Sequence, residues 1–134
     1  INGVRFIDDS KGTNIGATAA ALGGLAGAGQ IWLIMGGQGK GQDFSVLKPV
    51  LTRINVRLLV MGEATEQIRA DLGEDTPMDV MSSLEDAVTL SAAAAQPGDT
   101  VLLSPACASF DMFSSYVERG ERFQAAVAAL EVAA

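Results

Sequence analysis

Five short apolar runs, each followed by a stretch of helical character, constrain the fold of this chain more than any other feature. The runs are VRFID (4–8), IWLIM (31–35), VRLLVM (56–61), MDVM (78–81) and TVLLS (100–104). They are rich in branched side chains and nearly unbroken in apolar character, the pattern of strands buried on both faces. The gaps carry helix formers at helical spacing in TNIGATAAALGGL (13–25), FSVLKPVLTRI (44–54), ATEQIRADLG (64–73), SLEDAVTLSAAAA (83–95) and FDMFSSYVERGERFQAAVAAL (110–130). Pro49 is expected to kink or delay the second of these. Gly73 reads as a C-cap, and Ser83 with Asp86 as a variant capping box. Strand, helix, strand at this spacing implies right-handed crossovers and a mostly parallel sheet with helices on both faces, an α/β, Rossmann-like doubly wound domain. With no linker, repeat or low-complexity segment, residues 1–134 read as one domain.

The charge balance narrows what such a domain binds. Nine basic residues against 16 acidic ones give a net charge of -7, so no broad cationic field exists for nucleic acid and an anion must be caught by a few local groups. The chain has no His, which removes the commonest general base and metal ligand, and its single cysteine, Cys107, suggests a reducing compartment. No apolar run approaches the ~20 residues of a membrane span, and no signal peptide is recognisable, so a cytoplasmic protein without a membrane partner is expected. The first residue is Ile, which suggests a domain of a longer chain.

Ligands of doubly wound sheets collect beyond the carboxyl ends of the strands, where three loops stand out: DDSKGTN (8–14), MGGQGKGQDF (35–44) and SPACASFDMF (104–113). The glycine-rich loop fails both phosphate templates. A P-loop needs glycine where Ile34 stands and Ser or Thr where Gly41 stands, and a dinucleotide fingerprint needs glycine at Gln42. What remains is a flexible or positive-φ backbone presenting Lys40, or, the commoner case for such a stretch by itself, a glycine-rich surface turn with a solvated lysine. Lys11 and Thr13 precede a helix and Ser109 stands at the expected start of another, so with Lys40 they would converge on one sheet edge. Two ammonium groups, two hydroxyls and two helix N-termini suit a small ligand with two carboxylates, although Thr13 and Ser109 fit simple helix caps as well. Asp8 and Asp9 fit either a ribose hydroxyl or a solvated strand end. Cys107, with no His to activate it, reads as a small buried packing residue.

The stretches NGVRFIDDSKGTN, GGQGKGQDFSVL and PGDTVLLSPACASFDMFSSYVERGERF, which span nearly the whole chain, closely resemble the C-terminal domain of the D-glutamate-adding Mur ligases. The resemblance implies the third domain of a three-domain enzyme, whose N-terminal domain binds a UDP-sugar and whose central domain binds ATP. It also implies the reaction: ATP phosphorylates the carboxylate of UDP-N-acetylmuramoyl-L-alanine, and the D-glutamate amine displaces phosphate to form an amide in peptidoglycan precursor synthesis. By the same resemblance Lys11, Thr13, Lys40, Ser109, Phe110 and Tyr116 hold D-glutamate, and Asp9 reaches the ATP ribose. Tyr116 stands where phenylalanine is expected. Gly12 replaces the alanine common in this loop, a change expected to loosen it.

No residue of this chain is expected to be catalytic in itself or to bind metal. ATP and Mg2+ belong to the full-length enzyme, and the chain alone is expected to be inactive and monomeric. Two other readings fit the pattern less well: the corresponding domain of a synthetase of the folylpolyglutamate type, and a non-enzymatic nucleotide-binding module.

Overall fold

The computed structural model describes residues 3–9, 11–25, 29–39, 41–73, 76–107 and 115–133, with side chains described to residue 130. Strands β1 (Arg5–Asp8), β2 (Ile31–Gly36), β3 (Val56–Met61), β4 (Met78–Val80) and β5 (Thr100–Leu103) form one sheet in the order β1-β5-β2-β3-β4. Every neighbouring pair is parallel. The helices are α1 (Ile15–Gly24), α2 (Lys48–Arg53), α3 (Thr65–Leu72), α4 (Leu84–Ala94) and α5 (Tyr116–Ala133).

Successive strand residues point to opposite faces, which sorts the core into two layers. Leu33, Leu58 and Leu102 pack with Leu22 of α1, Val50 of α2 and Ile68 of α3. Ile34, Leu59, Val101 and Leu103 pack with Leu84 and Val88 of α4 and Phe123 of α5. A fully buried Leu or Ile contributes about 1.5–3 kcal/mol, so these two layers supply most of the driving force for folding. The helix placement follows from handedness: connections that step from β1 to β2, β3 and β4 share one face, and the connection returning from β4 to β5 takes the other. Strand β5 lies between β1 and β2, a placement the sequence pattern leaves open.

Local chemistry sets the element ends. Helix α1 begins at Ile15, later than its expected start at Thr13, because Asn14 is its N-cap and accepts from the Ala17 N–H at 2.9 Å. The second helical stretch divides into a 3-10 turn (Phe44–Leu47) and α2, with Pro49 in the first turn of α2, where a missing N–H breaks no helical bond. Gly73 ends α3 at φ +85°, its N–H bonded to the Arg69 carbonyl. Ser83 caps α4 through the Asp86 N–H at 3.0 Å, while the Asp86 carboxylate accepts from the Ser82 hydroxyl. At the amino edge of the sheet the buried Asp99 accepts from Gln30 N, Gln96 N and Trp32 Nε1. Among the described residues no helix is long and apolar enough to cross a membrane.

The tightest approach in the sheet is at the end of β2. Gly36 has φ +134°, and a Cβ there would lie 1.9 Å from the Met61 carbonyl oxygen. Gly41 is also at positive φ (+72°) but faces open space. Gly36→Ala is therefore expected to lower stability by more than ~3 kcal/mol, and Gly41→Ala by roughly 1–2 kcal/mol, the backbone term alone. Denaturant midpoints of the two variants check this ordering, and equal losses would contradict it.

Candidate functional site

The connections after β1 and β2 lead to one face and α5 follows β5 on the other, so the chain switches faces beyond the carboxyl ends of β1, β5 and β2, the place where doubly wound sheets bind ligands. The three unusual loops meet there. Asp9 continues the β1 ladder, its N–H bonded to Leu103 O at 2.8 Å. Its carboxylate accepts from the Ser104 hydroxyl at 2.8 Å, and Ser104 is linked in turn to the buried Thr18 of α1. Two turn bonds, Gly12 N to Asp9 O and Thr13 N to Lys11 O, bend the chain towards α1. A Cβ at Gly12 would lie 2.7 Å from Ser104 Oγ and 2.9 Å from Asp9 Oδ2. Glycine at this position therefore leaves room for the Asp9–Ser104 bond.

The glycine-rich loop leaves β2 through Gly36 and Gly37, both at positive φ, as its composition predicts. Gly36 N bonds to Pro105 O of the loop after β5, and Gly37 O accepts from Ala64 N beside α3. The loop closes on Gln42, whose amide group donates to Gly39 O at 3.0 Å and Ala106 O at 2.8 Å while its oxygen accepts from Ile15 N at 2.9 Å. Asp43 then caps the 3-10 turn, accepting from the Ser45 hydroxyl at 2.6 Å and the Ser45 N–H at 3.0 Å.

The loop after β5 contains Ala106, the one non-glycine residue at positive φ (+64°) among the described residues. A left-handed alanine costs about 1–2 kcal/mol, and here both of its peptide groups are held: its N–H bonds to Gly12 O at 2.7 Å and its carbonyl accepts from Gln42. Cys107 is buried in the core, as expected. Its carbonyl accepts from Arg119 Nη2 at 3.0 Å, and Arg119 Nη1 lies 3.4 Å from Gly36 O. Arg119 is fully buried. This cation places the first turn of α5 over the loops after β2 and β5.

The predicted ligand residues fall into three groups. Lys11 is exposed and makes no ion pair among the described residues, and Thr13 is half-buried beside it. Tyr116 opens α5 with 41% exposure, one helical turn before Arg119. Lys40, Ser109 and Phe110 lie outside the described residues. Asp9 borders a hollow of about 510 Å³ lined by Ile7, Asp8, Ala17, Ala21 and Leu102, and Asp8 accepts from Gln124 of α5 at 2.6 Å. One expectation changes. Thr13 is not the cap of α1, and two N–H groups of that helix, Ile15 and Ala17, are taken by Gln42 and Asn14. A carboxylate near α1 would thus meet the Lys11 and Thr13 side chains rather than those N–H groups.

Sequence reading missed Gln42 and Arg119. Both look solvated in a linear sequence, and several of their partners lie far along the chain: Ile15 and Ala106 for Gln42, Gly36 for Arg119. The failed third glycine at Gln42 was the only available signal that the loop uses this position differently. Among the described residues no group of three His, Cys, Asp or Glu side chains stands close enough to hold a metal ion.

Comparison with known proteins gives a consistent result. The family described as Mur ligase, glutamate ligase domain, matches residues 1–107. A UDP-N-acetylmuramoylalanine--D-glutamate ligase of Acinetobacter baylyi is 50% identical over 135 residues, covering 97% of this chain. The protein of the same name in Chromobacterium violaceum is 51% identical over 134 residues, covering 98% of the chain. The chain spans 30% and 29% of the length of those two relatives. A solved domain described as from a UDP-N-acetylmuramate:L-alanyl-gamma-D-glutamyl-medo-diaminopimelate ligase of Haemophilus ducreyi superposes with a TM-score of 0.55 at 15% identity. The superposition covers 94% of both chains and supports the fold.

The capping geometry of the glycine-rich loop gives a pH-dependent prediction. The Ser45 hydroxyl, then the Ser45 N–H, hold the Asp43 carboxyl below its usual range, with burial opposing and Lys48 adding a smaller pull downwards. A depressed carboxyl stabilises the folded state fully above its unfolded pKa, and the contribution disappears as pH falls through the lower folded value. NMR titration should place the Asp43 midpoint below that of an ordinary Asp, and Ser45→Ala should move it up. An unshifted midpoint in the parent protein would show that the cap does not form.

Proposed function

This chain belongs to the Mur ligase family as a glutamate ligase domain, and we propose that it is the D-glutamate-binding, C-terminal domain of an ATP-dependent ligase. The whole enzyme adds D-glutamate to UDP-N-acetylmuramoyl-L-alanine in peptidoglycan precursor synthesis, working as a cytoplasmic monomer. In this reading the chain, residues 1–134, is one domain, joined in the whole protein to a UDP-binding domain and an ATP-binding domain. Relatives of about 50% identity that bear the D-glutamate ligase name, each about three times as long, support it. The observation that carries the reading is the convergence of three loops beyond β1, β5 and β2, one of them presenting Lys11 and Thr13.

The proposed reaction begins when the γ-phosphoryl group of ATP passes to the carboxylate of UDP-N-acetylmuramoyl-L-alanine. ADP leaves, the D-glutamate ammonium gives up a proton, and its amine attacks the acyl phosphate carbon; the C–O bond to phosphate breaks, releasing inorganic phosphate, and the nitrogen loses a second proton to leave an amide. The domain's task is positioning, which converts an encounter of two substrates into a reaction within one complex. Lys11 and Lys40 supply charge for the two carboxylates, and Thr13 and Ser109 supply hydroxyl donors. Phe110 and Tyr116 border the amino acid. The amine is left outside this grip, free to attack. The acidic chain makes those local ammonium groups the main attraction for a substrate with two carboxylates.

Asp9 is the residue proposed to meet the ATP ribose. Its carboxylate can accept from a ribose hydroxyl while keeping the Ser104 bond, since a carboxylate has about four acceptor sites. Mg2+ and the phosphates are assigned to the rest of the enzyme, because the glycine-rich loop fits neither phosphate template.

Steady-state kinetics of the full-length enzyme test these roles. Lys40→Ala and Ser109→Ala should each raise the KM for D-glutamate about ten- to a hundredfold, the effect of losing a hydrogen bond of roughly 1.5–3 kcal/mol. The constants for ATP and the UDP-sugar should stay within a few-fold. Lys11→Ala should add a fall in kcat, and Asp9→Ala should weaken ATP instead. A Lys40 or Ser109 defect confined to the ATP constant would overturn the assignment.

A further inference from the structure

The Gln42 side chain hydrogen-bonds the start of α1, its own glycine-rich loop and the loop after β5 at once. We propose that it is a positioning residue for D-glutamate, an inference that rests on the functional reading above. Its oxygen accepts from Ile15 N at the start of α1, and its amide group donates to Gly39 O and Ala106 O. Its own backbone is held as well, with Gln42 N bonded to Gly39 O and Gln42 O accepting from Gln67 Nε2. The side chain is half-buried and its donor and acceptor ends are both engaged.

The chemistry of an amide is required here. One end must accept from an N–H and the other must donate twice, and among side chains only Gln and Asn combine these functions without charge. Asn is one methylene shorter and cannot span the same three points. The strain at Ala106 adds a second argument. A left-handed alanine relaxes unless its surroundings over-determine it, and the Gln42 donor is one of the two bonds that hold it. Gly39 immediately precedes Lys40, and Ala106 precedes Ser109 by three residues. Gln42 thus sets the backbone positions from which the loops bearing the proposed substrate residues depart, and it touches neither substrate nor metal in this assignment.

The test uses the full-length enzyme with D-glutamate as the varied substrate. Gln42→Glu keeps the acceptor for Ile15 N but turns the donating end into an acceptor facing two carbonyl oxygens. It should raise the KM for D-glutamate about tenfold at pH 8.5, with the constants for ATP and the UDP-sugar within threefold. Protonating the introduced carboxyl restores a donor, so the ratio of variant to parent KM should fall as pH is lowered to 6. Gln42→Met, uncharged and of similar length, should raise the KM about three- to tenfold with no such pH dependence in the ratio. KM values for both variants within twofold of the parent would overturn the proposal, even if both melt at lower temperature, because that is the pattern of a purely structural residue. In the unsubstituted enzyme, saturating D-glutamate should slow exchange of the Gln42 side-chain amide protons. Unchanged exchange would overturn the proposal whether or not the variants fold. A parent enzyme that does not saturate with D-glutamate would sink the functional reading itself, whereas saturation of the parent with unaffected variants sinks only the role of Gln42.

Discussion

Right-handed crossover between parallel strands determines where this domain can have a site. With β1, β2, β3 and β4 laid down in one direction and α1, α2 and α3 on one face, handedness sends the return to β5 over the other face, and β5 lies between β1 and β2. The loops after β1, β5 and β2 then share a single edge although they are separated by up to about ninety residues of chain. Parallel sheets bury both faces, and the apolar runs from IWLIM to TVLLS satisfy that demand on both layers. The opposite edge of β5 carries the buried, fully bonded Asp99, a purely structural use of polarity.

At the carboxyl edge the bonding is between loops. Gly36 N to Pro105 O, Ala106 N to Gly12 O, Asp9 to Ser104, Arg119 to Cys107 O and the three bonds of Gln42 close a network that links all three. Such a network makes loop positions interdependent, since a buried donor or acceptor left unmade costs about 1–3 kcal/mol. It lets short polar loops serve as a preorganised site, which is what substrate positioning demands.

Much of the architecture was legible because fully buried strands and capped helices leave strong local signals. Ser83 and Gly73 announced their caps, and Pro49 announced an interruption. The boundary at α1 shifted because Asn14 competes better than Thr13 for the N-cap, a choice between adjacent residues that periodicity does not resolve. Sheet order was not legible, because it depends on which crossover spans which strand. Gln42 and Arg119 were hidden for a different reason: a polar residue in a glycine-rich loop and an arginine on a helix ordinarily face solvent, and the partners that engage them here lie up to 83 residues away. Lys11 and Thr13 lie on the loop after β1, and two N–H groups at the start of α1 that were expected to assist them are occupied by Asn14 and Gln42.

The central claim is that the three loops form one cooperative unit that D-glutamate stabilises. Native-state amide exchange of the full-length enzyme tests it most directly, read at Ile15, Gly36 and Ala106, whose N–H groups bond to Gln42, Pro105 and Gly12. The account predicts that these three amides exchange through a common opening, with opening free energies that agree within about 0.5 kcal/mol and rise together when D-glutamate saturates the enzyme. Independent opening energies, or protection by D-glutamate of one loop alone, would contradict it.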